Sequence, residues 1–175
     1  MQTKQELEDW YAHPDQWGYY TNPDDEKRRT LLLSMLDCDY YYQRALDIGC
    51  GEGFITEKIP AHTIHGLDLA TNALARLPKK VMPVQKPHGK YDLVVSTGTL
   101  YSQYDHKSIY ECIMDSAKDH ILISGIGAWL IAYDFGNPLK HIKFPYREFE
   151  QHATCLLYTS PSPRDRTRSR MPSSA

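Results

Sequence analysis

Two hydrophobic rhythms divide the chain. Over residues 1–43 apolar positions recur three and four apart, the spacing of a helical face. Thr3-x-x-Glu6 has the form of a capping box and predicts a helix start, with Leu7, Trp10 and Tyr11 on one face. His13-Pro14 ends that helix, because the residue before a proline avoids helical backbone. A second helix is predicted from Asn22-Pro23. Asn22 caps it, Asp24, Asp25 and Glu26 face the positive end of its dipole, and Leu32, Met35 and Leu36 form its stripe. From Arg44 the rhythm changes to short apolar runs closed by glycine or proline. Residues 45–49, 63–69, 81–84, 91–97 and 120–124 read as buried strands, and 54–59, 72–77 and 105–118 as helices, the last turning Ile109, Cys112 and Ile113 inward. Strands alternating with helices predict an α/β fold, a doubly wound and mostly parallel sheet behind an N-terminal helical cap. Right-handed crossovers then place the ligand site along the edge formed by the strand C-terminal ends.

Composition narrows the function. A chain of 175 residues with 41% hydrophobic and 24% charged positions is one folded domain rather than a disordered segment. A net charge of -2 implies no strongly basic face and lowers, without excluding, a nucleic-acid or anionic-membrane partner; without a basic stripe the thirteen tyrosines are weak support for a base-stacking platform. Tyr40, Tyr41 and Tyr42 are expected to cover the sheet edge before the first strand. Cys38, Cys50, Cys112 and Cys155 form no CxxC pair, which points away from disulfides and zinc and toward a reducing compartment. His62 and His65 fall on opposite faces of a strand, so no metal pair is expected. The polar N-terminus is not a signal peptide, and the longest apolar-rich run, residues 121–133, is too short and too interrupted to span a bilayer. A cytoplasmic protein without a membrane partner is expected. Nothing in the pattern specifies an oligomeric state.

The chemistry concentrates in Leu46-Asp47-Ile48-Gly49-Cys50-Gly51-Glu52-Gly53. Three glycines between a strand and a helix let backbone N–H groups approach a ligand. Asp68 closes the next strand, where a carboxylate can accept both hydroxyls of a ribose. The dinucleotide fingerprint asks for glycine where Phe54 stands and an apolar residue where Asp47 stands, which disfavours an NAD-type Rossmann oxidoreductase. An acid at Asp47 repels a pyrophosphate but favours a ligand with cationic groups.

This pattern resembles motif I of class I S-adenosylmethionine-dependent methyltransferases, and the resemblance runs from Arg44 to about Ser124. It implies the class I methyltransferase fold and S-adenosylmethionine as cofactor. Asp47, Gly49, Cys50, Gly51, Gly53 and Phe54 would form the cofactor loop. Gly66-Leu67-Asp68-Leu69 is similar to the family's second motif, with Asp68 and Leu69 at the cofactor. Ser96, Thr97 and Gly98 would line the methionine side, and Gln85 stands where the family often has an acid that reads adenine. Asp15-Gln16-Trp17-Gly18-Tyr19 resembles the opening of nodulation-type small-molecule methyltransferases, with Gln16 in place of their proline. That likeness implies a lid bringing Tyr20 and Lys27 or Arg28 to the cofactor carboxylate. The acceptor the resemblance implies is a small molecule, a sugar-derived one among the candidates, methylated on nitrogen or oxygen.

The acceptor side carries a thinner pattern. Ser-Thr-Gly-Thr-Leu-Tyr after the fourth strand lacks the Asn-Pro-Pro-Tyr or Asp-Pro-Pro-Tyr of amino-methylating DNA enzymes. Methyl transfer needs alignment and the removal of one proton. His106 is the candidate general base and Tyr101 the second catalytic candidate, with Asp105 read as a helix cap and Trp129, Tyr133 and Asp134 as possible pocket walls. A cofactor-binding module without activity is the alternative from a different class.

The last 21 residues differ in kind. They hold four Arg, one Asp, three Pro and five Ser, so the remaining body is more acidic than the total charge indicates. Residues 155–165, Cys-Leu-Leu-Tyr-Thr-Ser-Pro-Ser-Pro-Arg-Asp, resemble the translation of a transposase-type sequencing adapter. The expected organisation is therefore a lid over 1–43, a core over 44–154, and a non-native, disordered tail over 155–175. The sheet is expected to be incomplete at its last edge, with the native C-terminus missing.

Overall fold

The computed structural model describes residues 1–147 and 153–159. Two helices open the chain: α1 (Lys4–Trp10) and α2 (Pro23–Leu33). Both start as their sequences dictate. The Thr3 hydroxyl accepts from the Glu6 N–H while Glu6 reaches back to the Thr3 N–H, and the Asn22 side chain accepts from the Asp24 N–H. Five strands then run parallel: β1 (Tyr42–Ile48), β2 (Ala61–Leu67), β3 (Val81–Val84), β4 (Tyr91–Thr97) and β5 (Ala117–Ile126). Between them lie a 3₁₀ turn (Thr56–Lys58) and helices α3 (Thr71–Leu74) and α4 (His106–Ser116). A short α5 (Gly127–Leu130) leads to β6 (Lys140–Phe144) and β7 (Ala153–Thr159), and β7 pairs antiparallel with both β5 and β6.

The sheet order is β3-β2-β1-β4-β5-β7-β6. The chain moves outward from β1 to β3, then returns to the other side of β1 with β4. That reversal opens a crevice at the C-terminal ends of β1 and β4, the place where open α/β sheets bind ligands. Strand alternation builds a core on each face. Ala45, Leu93, Val95, Leu122, Cys155 and Leu157 join one cluster with Leu32, Met35 and Leu36 of the helical cap. Leu46, Val94, Ile121, Ile123, Leu156 and Tyr158 join the other with Ile113. Leu122 is fully buried, and its truncation to alanine would cost about 3 kcal/mol.

The doubly wound, mostly parallel sheet is as expected. The C-terminal edge is not incomplete, because β6 and β7 fill it, and the boundary expected after residue 154 falls inside β7. Cys155, Leu156, Leu157 and Tyr158, expected outside the fold, are buried in the sheet. The reason is physical: a run of alternating apolar side chains offers one set to each core cluster, and both faces of the sheet accept it. The rest of that tail, residues 160–175, lies outside the described residues. Tyr42 is buried inside β1, while Tyr40 and Tyr41 remain about half exposed before it. No described helix is long and apolar enough to cross a membrane.

Candidate cofactor site

At the end of β1 the backbone turns sharply, and the Gly49 and Cys50 N–H groups donate to the Leu67 carbonyl at 2.7 and 3.1 Å. Gly49 has φ +75°, and a Cβ there would lie 2.2 Å from Thr99 Cγ2. Gly51 has φ +53°, and a Cβ there would lie 2.8 Å from the Tyr11 hydroxyl. Both positions therefore need glycine for conformation and for space. Cys50 is buried, with its sulfur 2.9 Å from where a Cβ on Gly66 would stand, so it packs the turn against β2.

Two carboxylates flank the turn. Asp68, just beyond β2, accepts from the Gly51 N–H at 2.9 Å and from the Ala70 N–H at 2.9 Å. Burial raises its pKa, and those backbone hydrogen bonds oppose the rise. Asp47 is 2% exposed. Its Oδ2 accepts from the Thr56 hydroxyl at 2.6 Å, while its Oδ1 is buried without a hydrogen-bond partner. Burial pushes the Asp47 carboxyl up to about 7, the Thr56 bond opposes this, and the Asp68 charge adds to it. A buried carboxylate oxygen with no partner is costly, and the arrangement favours a ligand that brings a cationic donor.

The N-terminal segment closes over this turn. The Trp17 indole donates to the Tyr11 hydroxyl at 2.9 Å, directly above Gly51. Burial, with a further push from Asp68, raises the Tyr11 phenol far above its ordinary value, so it stays neutral. Arg76 donates to the carbonyls of Tyr11 and Ala12 and pairs with Glu52 at 3.0 Å, while Glu52 accepts from the Asp15 N–H at 2.8 Å. Glu8 accepts from the N–H groups of Thr71 and Asn72 at 2.7 and 2.9 Å. Phe54, at the end of the turn, is buried beneath Tyr19 and Tyr20, with the Arg29 guanidinium 4.2 Å from its ring centroid.

The two cationic candidates on α2 separate. Lys27 is exposed. Arg28 is 6% exposed, and its Nε is buried with no partner. Its guanidinium lies 5.1 Å from the centroid of the Tyr19 ring, which in turn stacks on Phe54 at the end of the turn. Tyr20 is half exposed over Phe54, Leu69 is 61% exposed, and Gln85 is exposed beyond β3 with no side-chain hydrogen bond among the described residues. The structure therefore brings Asp47, Gly49, Cys50, Gly51, Gly53, Phe54, Asp68 and Arg28 around one crevice, and leaves Lys27 and Gln85 without a contact to it.

At the end of β4, the buried Ser96 hydroxyl donates to the Ile48 carbonyl at 3.0 Å and shares a 2.5 Å hydrogen bond with Thr99. Ser96 thus ties β4 to β1 and fixes the turn through Thr97 and Gly98, whose φ is +68°. The Tyr101 hydroxyl accepts from the Ile126 N–H at 3.2 Å, and Trp129 meets its ring edge to face. Burial raises the Tyr101 pKa, so at neutral pH it is a hydroxyl and not a proton acceptor by ionisation. The His106 Nδ1 shares a hydrogen bond with the Tyr133 hydroxyl, and the Tyr133 ring packs at a tilt against Tyr110 and Phe135. His106 and Tyr101 are thus anchored to different partners rather than to each other. Asp105 caps α4, as expected from sequence.

Tyr11, Glu52, Thr56, Arg76 and Thr99 were not singled out by the sequence pattern as site residues. Tyr11 stood on the predicted apolar face of α1, where its spacing read as packing alone. Thr56, Arg76 and Thr99 reach the turn through tertiary contacts that no local spacing encodes. Among the described residues the only group of potential metal ligands is Asp37, Cys38 and Asp39, all exposed and away from the crevice.

No family model and no curated protein matches this chain. Solved structures do. The N-methyltransferase NodS from Bradyrhizobium japonicum, in complex with S-adenosylhomocysteine, aligns at a TM-score of 0.76 and 19% identity over 91% of this chain and 98% of that one. Magnesium protoporphyrin IX methyltransferase from Synechocystis, with bound S-adenosylhomocysteine, aligns at 0.70 and 13% identity over 90% and 99%. The 1,6-didemethyltoxoflavin-N1-methyltransferase of Burkholderia thailandensis aligns at 0.67 and 14% identity over 91% and 87%. The chain has the fold that these methyltransferases share.

Proposed function

We propose that this protein is a methyltransferase that uses S-adenosylmethionine to methylate a small molecule on nitrogen or oxygen. The observation that carries the reading is Asp47: a buried carboxylate at the end of β1, half of whose hydrogen-bonding capacity is unspent, beside a glycine turn. S-adenosylmethionine fits that demand, because it brings an ammonium group and a sulfonium where a dinucleotide brings a pyrophosphate. It supplies an electrophilic methyl group when bound. Asp47 then receives the cationic amino group, Asp68 accepts the ribose hydroxyls, and the Arg28 Nε donates to the carboxylate. The lid formed by Tyr11, Trp17 and α2 excludes water from the crevice, which strengthens each of these charge interactions.

The acceptor is read from fold neighbours and from the shape of the edge. Two of the neighbours are named for small acceptors, magnesium protoporphyrin IX and 1,6-didemethyltoxoflavin. Tyr101 and Trp129, beside the end of β5, form an aromatic wall suited to orienting such a molecule. His106 remains the candidate proton acceptor at the start of α4; the role requires the tautomer in which its Nδ1–H donates to the Tyr133 oxygen and Nε2 is unprotonated. The lid over 1–43 and the core after it work as one binding unit in this reading, since Arg76 and Glu52 of the core hold the backbone of Tyr11, Ala12 and Asp15. Calorimetry with S-adenosylhomocysteine and with NAD tests the cofactor. Transfer of a labelled methyl group to a panel of small amines and hydroxyl compounds tests the reaction. Binding of NAD in preference to S-adenosylhomocysteine would overturn the reading.

A further inference from the structure

The buried charges above the crevice do not balance locally. Asp25 is fully buried on α2 and faces two guanidinium groups. Its Oδ2 accepts from Arg147 Nε at 3.0 Å and Nη2 at 2.6 Å, and its Oδ1 accepts from the Tyr146 hydroxyl at 2.6 Å. Arg28 receives what is left, an ion pair of 3.3 Å from its Nη2 to Oδ1. Its guanidinium lies 5.1 and 5.3 Å from the ring centroids of Tyr19 and Tyr146, a slot that fixes its plane. Its Nε is buried with no partner. Asp24 does not relieve this: its Oδ2 is taken by the Arg147 backbone N–H at 3.1 Å, and it makes no ion pair among the described residues.

Arg147 comes from the segment after β6, far along the chain from α2. It holds φ +50°, which non-glycine residues seldom adopt, and its Nη2 also donates to the Trp17 carbonyl at 2.7 Å. One side chain therefore joins the lid, α2 and the end of the sheet, and takes the better half of the buried Asp25 carboxylate.

We propose that Arg147 is a positioning residue that, by occupying Asp25, leaves Arg28 poised for the carboxylate of the cofactor's amino-acid end. Removing Arg147 frees Asp25 to pair fully with Arg28. The protein then loses affinity for an anionic group that Arg147 never touches. This rests on the reading of Arg28 as the carboxylate anchor, and the two claims separate in one experiment.

The probes are S-adenosylhomocysteine and 5′-methylthioadenosine, which shares the adenosine and thioether but lacks the amino acid. Both are titrated calorimetrically into the full chain and its variants. Arg28→Met should weaken S-adenosylhomocysteine by about tenfold or more and leave 5′-methylthioadenosine within about twofold, the loss expected for a charge-assisted hydrogen bond. Arg147→Met should reproduce that selective loss at about fivefold, and Arg147→Lys should recover part of it. If Arg28→Met is selective and Arg147→Met weakens neither ligand, or both equally, the positioning role is wrong. If Arg28→Met itself weakens neither ligand or both equally, the anchor reading falls, and the role of Arg147 falls with it.

Discussion

Replacing Asp47 with asparagine should change the pH dependence of both binding and stability, in opposite senses. The Asp47 carboxyl is moved by burial from an ordinary 3.8 to about 7, which corresponds to about 4 kcal/mol against its ionised form. In the ligand-free protein it is mostly protonated at pH 6.0 and mostly ionised at pH 7.5. A ligand ammonium that binds the ionised carboxylate must displace that proton at the lower pH. S-adenosylhomocysteine affinity should therefore rise about eightfold from pH 6.0 to 7.5, the ratio of ionised fractions for a pKa near 7. Asp47→Asn should bind about tenfold more weakly at pH 7.5, with an almost flat profile.

Stability runs the other way. The folded state keeps the Asp47 proton to higher pH than the unfolded state, so this group disfavours folding progressively as pH rises from about 4 through 7. Asp47→Asn, which cannot ionise, should match the parent only below about pH 4 and melt increasingly above it toward pH 8 without ligand. Calorimetric titration at four pH values, with thermal melts alongside, reads both effects. A wild-type affinity that does not change with pH would refute the reasoning, as would an asparagine variant that binds as well as the parent.

Other substitutions follow from the same geometry. Gly49→Ala forces φ +75° on an alanine and drives its Cβ into Thr99. It should destabilise by about 3 kcal/mol, lowering the melting temperature by about 6–12 °C. Asp68→Asn should weaken S-adenosylhomocysteine and 5′-methylthioadenosine alike, because both carry the ribose, and equal loss in calorimetry checks this. Arg76→Met releases the carbonyls of Tyr11 and Ala12 and the Glu52 carboxylate. Amide hydrogen exchange over residues 8–20 should then speed by about tenfold, while β1 and β4 keep their protection.

The parts legible in the sequence are those written in local chemistry. Thr3 with Glu6, and Asn22 with Pro23, announce α1 and α2 through caps that need only neighbouring residues. The β1 turn is legible because its three glycines follow an apolar strand and stand between Asp47 and Asp68 at the right spacing; glycines alone are common in loops. β7 is hidden for a different reason: the likeness of residues 155–165 to a translated adapter sets them apart from the fold, while the apolar run Leu156-Leu157-Tyr158 suits a strand between two cores. The expected helix at residues 54–59 is only a 3₁₀ turn, because Phe54 and Ile55 are drawn into the core before a full helical turn can form. Of the candidate site, Asp47 and Asp68 are legible as carboxylates at strand ends, and the structure places both beside the glycine turn. The choice between Lys27 and Arg28 is not legible, since adjacent residues on a helix point about 100° apart and only the packing of Tyr19 and Tyr146 decides which is inside. Arg147 was beyond reach of any local pattern, because its partner Asp25 lies on a different element.

The most direct test of the central claim is a comparison of two titrations at pH 7.5, S-adenosylhomocysteine and NAD, each against the full chain. Saturable one-to-one binding of S-adenosylhomocysteine, with no heat from NAD, is the predicted result. Binding of NAD without S-adenosylhomocysteine would contradict the account, and so would binding of neither.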